Sequence, residues 1–276
     1  EPERVLFRRL AASSDGATLD DIEAVVADDV LPSTEVLDLL DRLVAQSLVV
    51  GDDAGPVLRF RMLETVRQYA ARQLAAAEET EVLADRHADH YIRELLRVGP
   101  DAEYAFDLDE FRWMVEELEN LTHAVRRIAD HGRLEEAVEA VWFLSLAWGL
   151  VDPPACERLL DEVAATWEGV GDPTLEPKLR LARTQLQLWG GNMIRCAIEG
   201  FACIEAAQRA GDEGVTMRAN AYLGQVVAWV DPDASLVMHH EALDAALRLG
   251  DPVGATLATV GVASTHVGVL TDLAAA

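Results

Sequence analysis

Residues 1–78 contain three amphipathic helical patterns, an alternating hairpin pattern and a closing helix, and from Gly132 onward a unit of 39–40 residues recurs. Between these regions only helical periodicity is strong. The three observations predict a mainly α chain. A winged helix over 1–78 is followed by connecting helices over 79–131 and by a tetratricopeptide-like helical solenoid over 132–276, its last repeat incomplete.

The first helix reads "PERVLFRRLAA", with Val5, Leu6 and Leu10 set against Arg4, Arg8 and Arg9. In "ATLDDIEAVVADD", Thr18 and Asp21 stand three apart as a capping box. "PSTEVLDLLDRLVAQS" carries Val36, Leu39, Leu40, Leu43 and Val44 as one apolar stripe. "SLVV", the turn "GDDAGP" and "VLRFRM" predict a hairpin in which Leu58, Phe60 and Met62 face the core between Arg59 and Arg61. The second strand then runs almost directly into "LETVRQYA". Leu63, Val66, Ala70 and Leu74 recur there at helical spacing, with Glu64, Arg67, Gln68 and Arg72 opposite.

In the repeats, Gly132, Gly171, Gly211 and Gly250 are spaced by 39, 40 and 39 residues. Three of them continue as Gly-Asp, which places a left-handed glycine after one helix and a capping aspartate before the next. "GLVDPPA", "WGGNMI" and "WVDPDAS" break each unit at its middle, so each repeat is an antiparallel helix pair. Trp148, Trp189 and Trp229 follow their glycines by 16, 18 and 18 residues. The chain starts without methionine or signal-peptide architecture and ends in "VGVLTDLAAA", which is no polar cap; both features predict a piece of something longer.

With 49 acidic and 23 basic residues the formal charge is −26, a poor match to a phosphate backbone. Lys178 is the one lysine, which with the abundant alanine reads as genomic bias. No apolar run reaches the ~18 residues of a membrane helix; the longest, Ala140 to Val151, reads as a buried helix. Cys156, Cys196 and Cys203 have neither disulfide-framework nor zinc spacing and read as buried thiols of a reducing cytoplasm.

Catalytic motifs are missing. The sequence has no G-x-x-x-x-G-K-[ST], no H-E-x-x-H and no G-x-S-x-G, so no catalytic residue, metal site or cofactor of its own is expected, and no enzyme activity. His87 and His90, near Asp85 and Asp89, are read as a solvated helix face rather than a metal site. His239 and His240 are adjacent and point apart. The acidic runs "DDIEAVVADD" and "DAEYAFDLDEF" lack the calcium-loop glycine and read as solvated faces. The third helix presents Glu35, Asp38 and Asp41 with only Arg42 to offset them, and the wing tip is Asp52-Asp53. Residues 1–78 hold 15 acids and 8 bases, which argues against direct DNA contact.

"RVLFRRLA", "VLDLLDRLVAQSLVV", "FRMLETVRQYA", "DRHADHY" and "ELENLTHAVRRIADHG" occur in an order that resembles the region after the ATPase module in large bacterial regulators. These are the STAND-type signal-transduction ATPases, including the large ATP-binding LuxR-type and SARP-like transcription factors. The resemblance spans Arg4 to about Trp148. It implies a cytoplasmic regulatory segment that couples a ligand or protein signal at the repeats to an adjacent P-loop ATPase, with ATP or ADP bound by the parent protein rather than by this segment. In related NB-ARC-type modules the strand-to-helix corner carries Met-His-Asp, and the histidine meets the ADP β-phosphate. Here the triplet is Met62-Leu63-Glu64, and Leu63 cannot donate a hydrogen bond. Arg59, Arg61 and Arg67 are then the candidate phosphate or docking groups; the alternative is that Met62 and Leu63 are core and the arginines solvated. In the repeats, Arg180 and Asn220 share one position and Gln185 and Gln225 another, so they are candidates to line a groove. Trp148, Trp189 and Trp229 are either ligand anchors or plugs at the ends of helix pairs. A free-standing protein-binding scaffold and a DNA-binding winged-helix regulator are the other readings.

Overall fold

The computed structural model describes residues 1–53, 55, 57–104, 108–170 and 172–275, with side chains except at 99–104, 168–170 and 269–275. Two compact units are formed, Glu1–Glu94 with Glu117–Arg127, and Leu95–Glu116 with Ile128–Ala276.

The first unit opens with α1 (Pro2–Arg9) and a 3-10 turn, then β1 (Ala17–Thr18), α2 (Leu19–Val26), α3 (Ser33–Ala45), β2 (Val50–Asp52), β3 (Arg59–Arg61) and α4 (Glu64–Ala76). It is a winged helix. The capping box forms: the Thr18 hydroxyl accepts the Asp21 N–H while the Asp21 carboxylate accepts the Thr18 N–H. The hairpin is joined by a third strand that the sequence did not announce. Its two residues pair Ala17 with Phe60, so β3 lies between β1 and β2.

Several inward assignments fail. Of Leu58, Phe60 and Met62, Phe60 is buried and Met62 packs half-buried against the core, but Leu58 is exposed, because β3 is three residues long and Leu58 lies outside it. Val44 and Leu63 are exposed. Arg9, expected at the surface, is buried; it donates to the Val26 carbonyl at 2.8 Å and pairs with Asp28 and Glu79 at 3.0 and 2.7 Å. Asp28 also accepts the Val30 and Leu31 N–H groups, and the hydrogen bond from Arg9 leads in holding its carboxyl down at about 2. The first acidic run is therefore partly structural. The second lies mostly outside the described side chains. The unit continues past residue 78: α5 (Thr80–Tyr104) contributes Leu83 to the winged-helix core. After α6 (Leu108–Glu116), α7 (Leu118–Asp130) supplies buried Leu121, Ala124 and Val125.

The second unit contains α8 (Leu134–Val151), α9 (Pro153–Val170), α10 (Glu176–Trp189), α11 (Met193–Ala210), α12 (Glu213–Val227), α13 (Pro232–Leu249) and α14 (Pro252–Ala275). These are helix pairs broken where the sequence predicts, α14 opening the fourth. Gly211 and Gly250 adopt φ of +72° and +69° after α11 and α13, a region open to glycine at little cost. The following N–H groups, of Asp212 and Asp251, reach back to the carbonyls of Ala207 and Ala246 at 2.9 Å. The Asp212 and Asp251 carboxylates then cap α12 and α14 by accepting from Val215 and Gly254. Gly171 lies outside the described residues. The restart expected at Asp172-Pro173 is displaced, since Asp172 closes a turn on Thr174 and α10 begins at Glu176.

Candidate functional site

The strand-to-helix corner is built by β3, two extended residues and α4. Leu63 is the N-cap, with ψ of 145°, and its carbonyl receives the N–H groups of Val66 and Arg67. Its side chain is 52% exposed, so an apolar group stands at the surface there. Met62 is half-buried. Glu64 accepts from Arg67 Nε at 2.9 Å and Gln68 Nε2 at 2.7 Å, which holds its carboxyl below the usual range. Arg61 is half-exposed, with Asp52 at 3.9 Å.

Arg59 goes the other way. Its guanidinium pairs with Glu117, whose side chain is wholly buried, and donates to the Gly16 carbonyl at 3.2 Å. Asn120 completes the cluster. Its Nδ2 donates to Glu117 at 2.7 Å and to Gly16 at 3.1 Å, and its Oδ1 accepts the Ser14 N–H and meets His87 Nε2 at 3.2 Å. Gly16 sits at φ +79°, and a β-carbon there would fall 2.8 Å from the Phe60 carbonyl oxygen. One turn beyond His87, His90 meets Asp21 at 2.7 Å, and Asp21 also accepts from Thr18 Oγ1. Both histidines are buried, not on a solvated face. Burial pushes the His87 imidazole down to about 4. Burial favours the neutral Asp21, but the hydrogen bonds from His90 and Thr18 prevail and hold its carboxyl low. No metal-holding group of three acids, histidines or cysteines occurs among the described residues. Sequence spacing could not reveal the links that join this network across elements, which lie 33 to 106 positions apart.

Beside the corner, an open groove of about 900 Å³ runs over α1, α3 and α4, lined by apolar Phe7, Leu43, Leu48 and Val66, by Tyr69, and by polar Glu1, Glu3, Arg4, Arg8, Gln46, Thr65 and Gln73. On α3, Glu35, Asp38 and Asp41 are exposed and Arg42 is taken up by Glu3 at 3.1 Å.

The repeat candidates do not gather into one groove. Gln185 is buried, accepting from Ser145 at 2.6 Å and donating to the Tyr222 hydroxyl at 3.1 Å. Arg180 is held by Glu176 and Glu199 at 3.0 and 3.5 Å. Asn220 lines a separate polar groove of about 320 Å³ with Glu213, Thr216, Glu241 and Asp244. Gln225 is half-buried. Trp148 is buried, Trp189 half-buried and Trp229 83% exposed, so one shared plugging role fails at Trp229. Unforeseen was Arg218, 5.0 Å above the Trp142 ring and paired with Asp251 at 2.7 Å. All three thiols are buried, which pushes Cys196 and Cys203 up to about 12 and leaves them unreactive. No helix among the described residues is long and apolar enough to cross a membrane.

Residues 1–75 match the family described as "Winged helix-turn-helix domain". Proteins of Mycobacterium tuberculosis and Mycobacterium bovis, provisionally named HTH-type transcriptional regulators, are 37% identical over 151 residues, 54% of this chain and 17% of theirs. An uncharacterized protein of Mycobacterium tuberculosis is 33% identical over 90 residues, 32% of this chain and 23% of its own. The chain thus spans a small part of the relatives it matches. A crystal structure of a Signal Transduction ATPase with Numerous Domains (STAND) protein with a tetratricopeptide repeat sensor, from Pyrococcus horikoshii, aligns over 98% of this chain and 48% of its own, with 14% identity and a TM-score of 0.40.

Proposed function

We propose that this chain is the winged-helix and helical-repeat region of a cytoplasmic, STAND-type transcriptional regulator, and that it docks on and restrains an adjacent ATPase domain. The observation that carries the reading is the exposed corner: Leu63 is exposed between Arg61 and Arg67, next to the groove of mixed polarity on α1 and α4. An apolar side chain flanked by guanidinium groups suits a partner surface that also holds phosphate. Arg59 is withdrawn from that role by Glu117. The names of the mycobacterial relatives support transcriptional regulation, and ATP or ADP would belong to the neighbouring domain, not to this chain. The repeats would receive the ligand or protein signal.

Two steps test this. The coding region upstream must encode a G-x-x-x-x-G-K-[ST] motif; without one the reading fails and a free-standing scaffold replaces it. With one, Leu63→Glu in the longer protein should speed ADP release about tenfold or more, and an unchanged rate would remove the corner from the mechanism. The winged helix-turn-helix match favours a second reading, DNA binding, against which stands the acidic exposed face of α3. Low-salt binding to duplex DNA that weakens in Arg61→Ala would establish it.

A further inference from the structure

On α11, Ile194, Ile198 and Phe201 are 76%, 63% and 55% exposed. At about 100° per residue they form one outward stripe. The positions two, six and nine residues after the N-cap are also exposed or half-exposed on the neighbouring second helices. There α9 presents Pro154, Arg158 and Asp161, and α13 presents Asp233, Val237 and His240. That row is polar or mixed everywhere except on α11. Contiguous exposed apolar side chains mark contact surfaces.

The charges around the stripe select the occupant. In a chain of net −26, α11 is neutral, with Arg195 and Arg209 offsetting Glu199 and Glu205. Two copies of so acidic a chain repel one another over most of their surfaces, but not here. Arg195 flanks the stripe toward its N-terminal end, its side chain 61% exposed while pairing with Glu157, and Glu205 continues the stripe at the other end. A two-fold axis through Ile198 would set Ile198 against itself and Arg195 against Phe201 of the second copy, a cation–π geometry. It would also bring Glu205 within about 6 Å, along the helix axis, of Arg195 of the second copy. The same axis places Glu205 beside the other helix's N-terminus, where a carboxylate is favoured.

The geometry points to this stripe as the place where a second copy of the chain docks, α11 against α11 and antiparallel. The contact is isologous and needs no other partner.

Sedimentation equilibrium of the chain tests it. A concentration-dependent dimer is expected, with Ile198→Glu raising its dissociation constant more than about tenfold. Glu205→Arg should weaken the dimer, and Arg195→Glu added to it should restore much of the loss. Because the three native thiols are buried, Ile198→Cys should cross-link the chain to itself under mild oxidation. Circular dichroism checks that the variants fold, as expected at exposed positions. A chain that stays monomeric at its highest soluble concentration would overturn the proposal, and so would a dimer indifferent to Ile198→Glu.

Discussion

In the first unit the buried histidines each meet a side chain, His87 at Asn120 and His90 at Asp21; in the repeats His239 is buried as deeply, and neither of its ring nitrogens has a hydrogen-bond partner among the described residues. The His239 ring instead fills a slot between Gly224 on α12 and Gly261 on α14, where a β-carbon at either glycine would overlap it. Directional hydrogen bonds in the first unit hold β1, β3, α5 and α7 in one arrangement and pull Arg59 inward. The repeats also hold buried hydrogen bonds, Ser145–Gln185–Tyr222 and Ser235–Thr265, but around His239 they rely on shape, with small residues letting helices approach and capped glycines setting where helices begin. The difference separates a unit built to hold one corner from an array built to be extended.

The largest break in that comparison is expected from Glu117→Ala. It removes the buried carboxylate that pairs with the Arg59 guanidinium and accepts one hydrogen bond from Asn120, and should destabilise the first unit by about 3 kcal/mol. All six tryptophans, Trp113 to Trp229, belong to the second unit. Their emission should therefore report little change, while hydrogen exchange of β3 and α7 accelerates strongly.

Acid should weaken both units. Native His87 and His239 are held neutral down to about 4, whereas the unfolded chain binds those protons near 6.5. Each contribution is complete above about 6.5 and falls as the pH drops toward 4, by up to about 3 kcal/mol per histidine. Asp21, shifted downward, stays charged through that window. Denaturant titrations across it should show the slope, and His87→Gln should flatten it for the first unit only.

Thr18→Ala removes half of the capping box and should cost about 1 kcal/mol in denaturant unfolding of the first unit. Smallest is Trp229→Ser: with its ring in solvent, stability should move by less than about 0.5 kcal/mol, and a larger loss would restore a plugging role.

Local physics made most of the architecture legible. Helical period, the Thr18 box and the Gly-Asp junctions at Gly211 and Gly250 depend on residues within a turn of each other, and they fall where the sequence puts them; at Asp172 a local turn on Thr174 displaces the restart. β1 escaped because two residues carry no alternation. At the corner, Leu63 continues a helical stripe by spacing, but it is the N-cap, and the side chain there turns out to solvent. Arg59 and Arg61 look interchangeable in "RFR"; only Glu117, more than fifty residues on, divides them into a buried anchor and an exposed group. Gln185 likewise reads as a groove residue until Ser145 and Tyr222 are seen to enclose it.

The paired junctions at Gly211 and Gly250 make the array separable at a defined seam. Each glycine follows an 18-residue helix, turns left-handed and hands over to an aspartate that caps the next. A chain that left off at Gly211 and resumed at Asp251 would meet the same backbone geometry and the same capping chemistry on both sides of the cut. Gene-level duplication or loss of one such segment therefore changes the number of repeats without requiring a new loop to be invented.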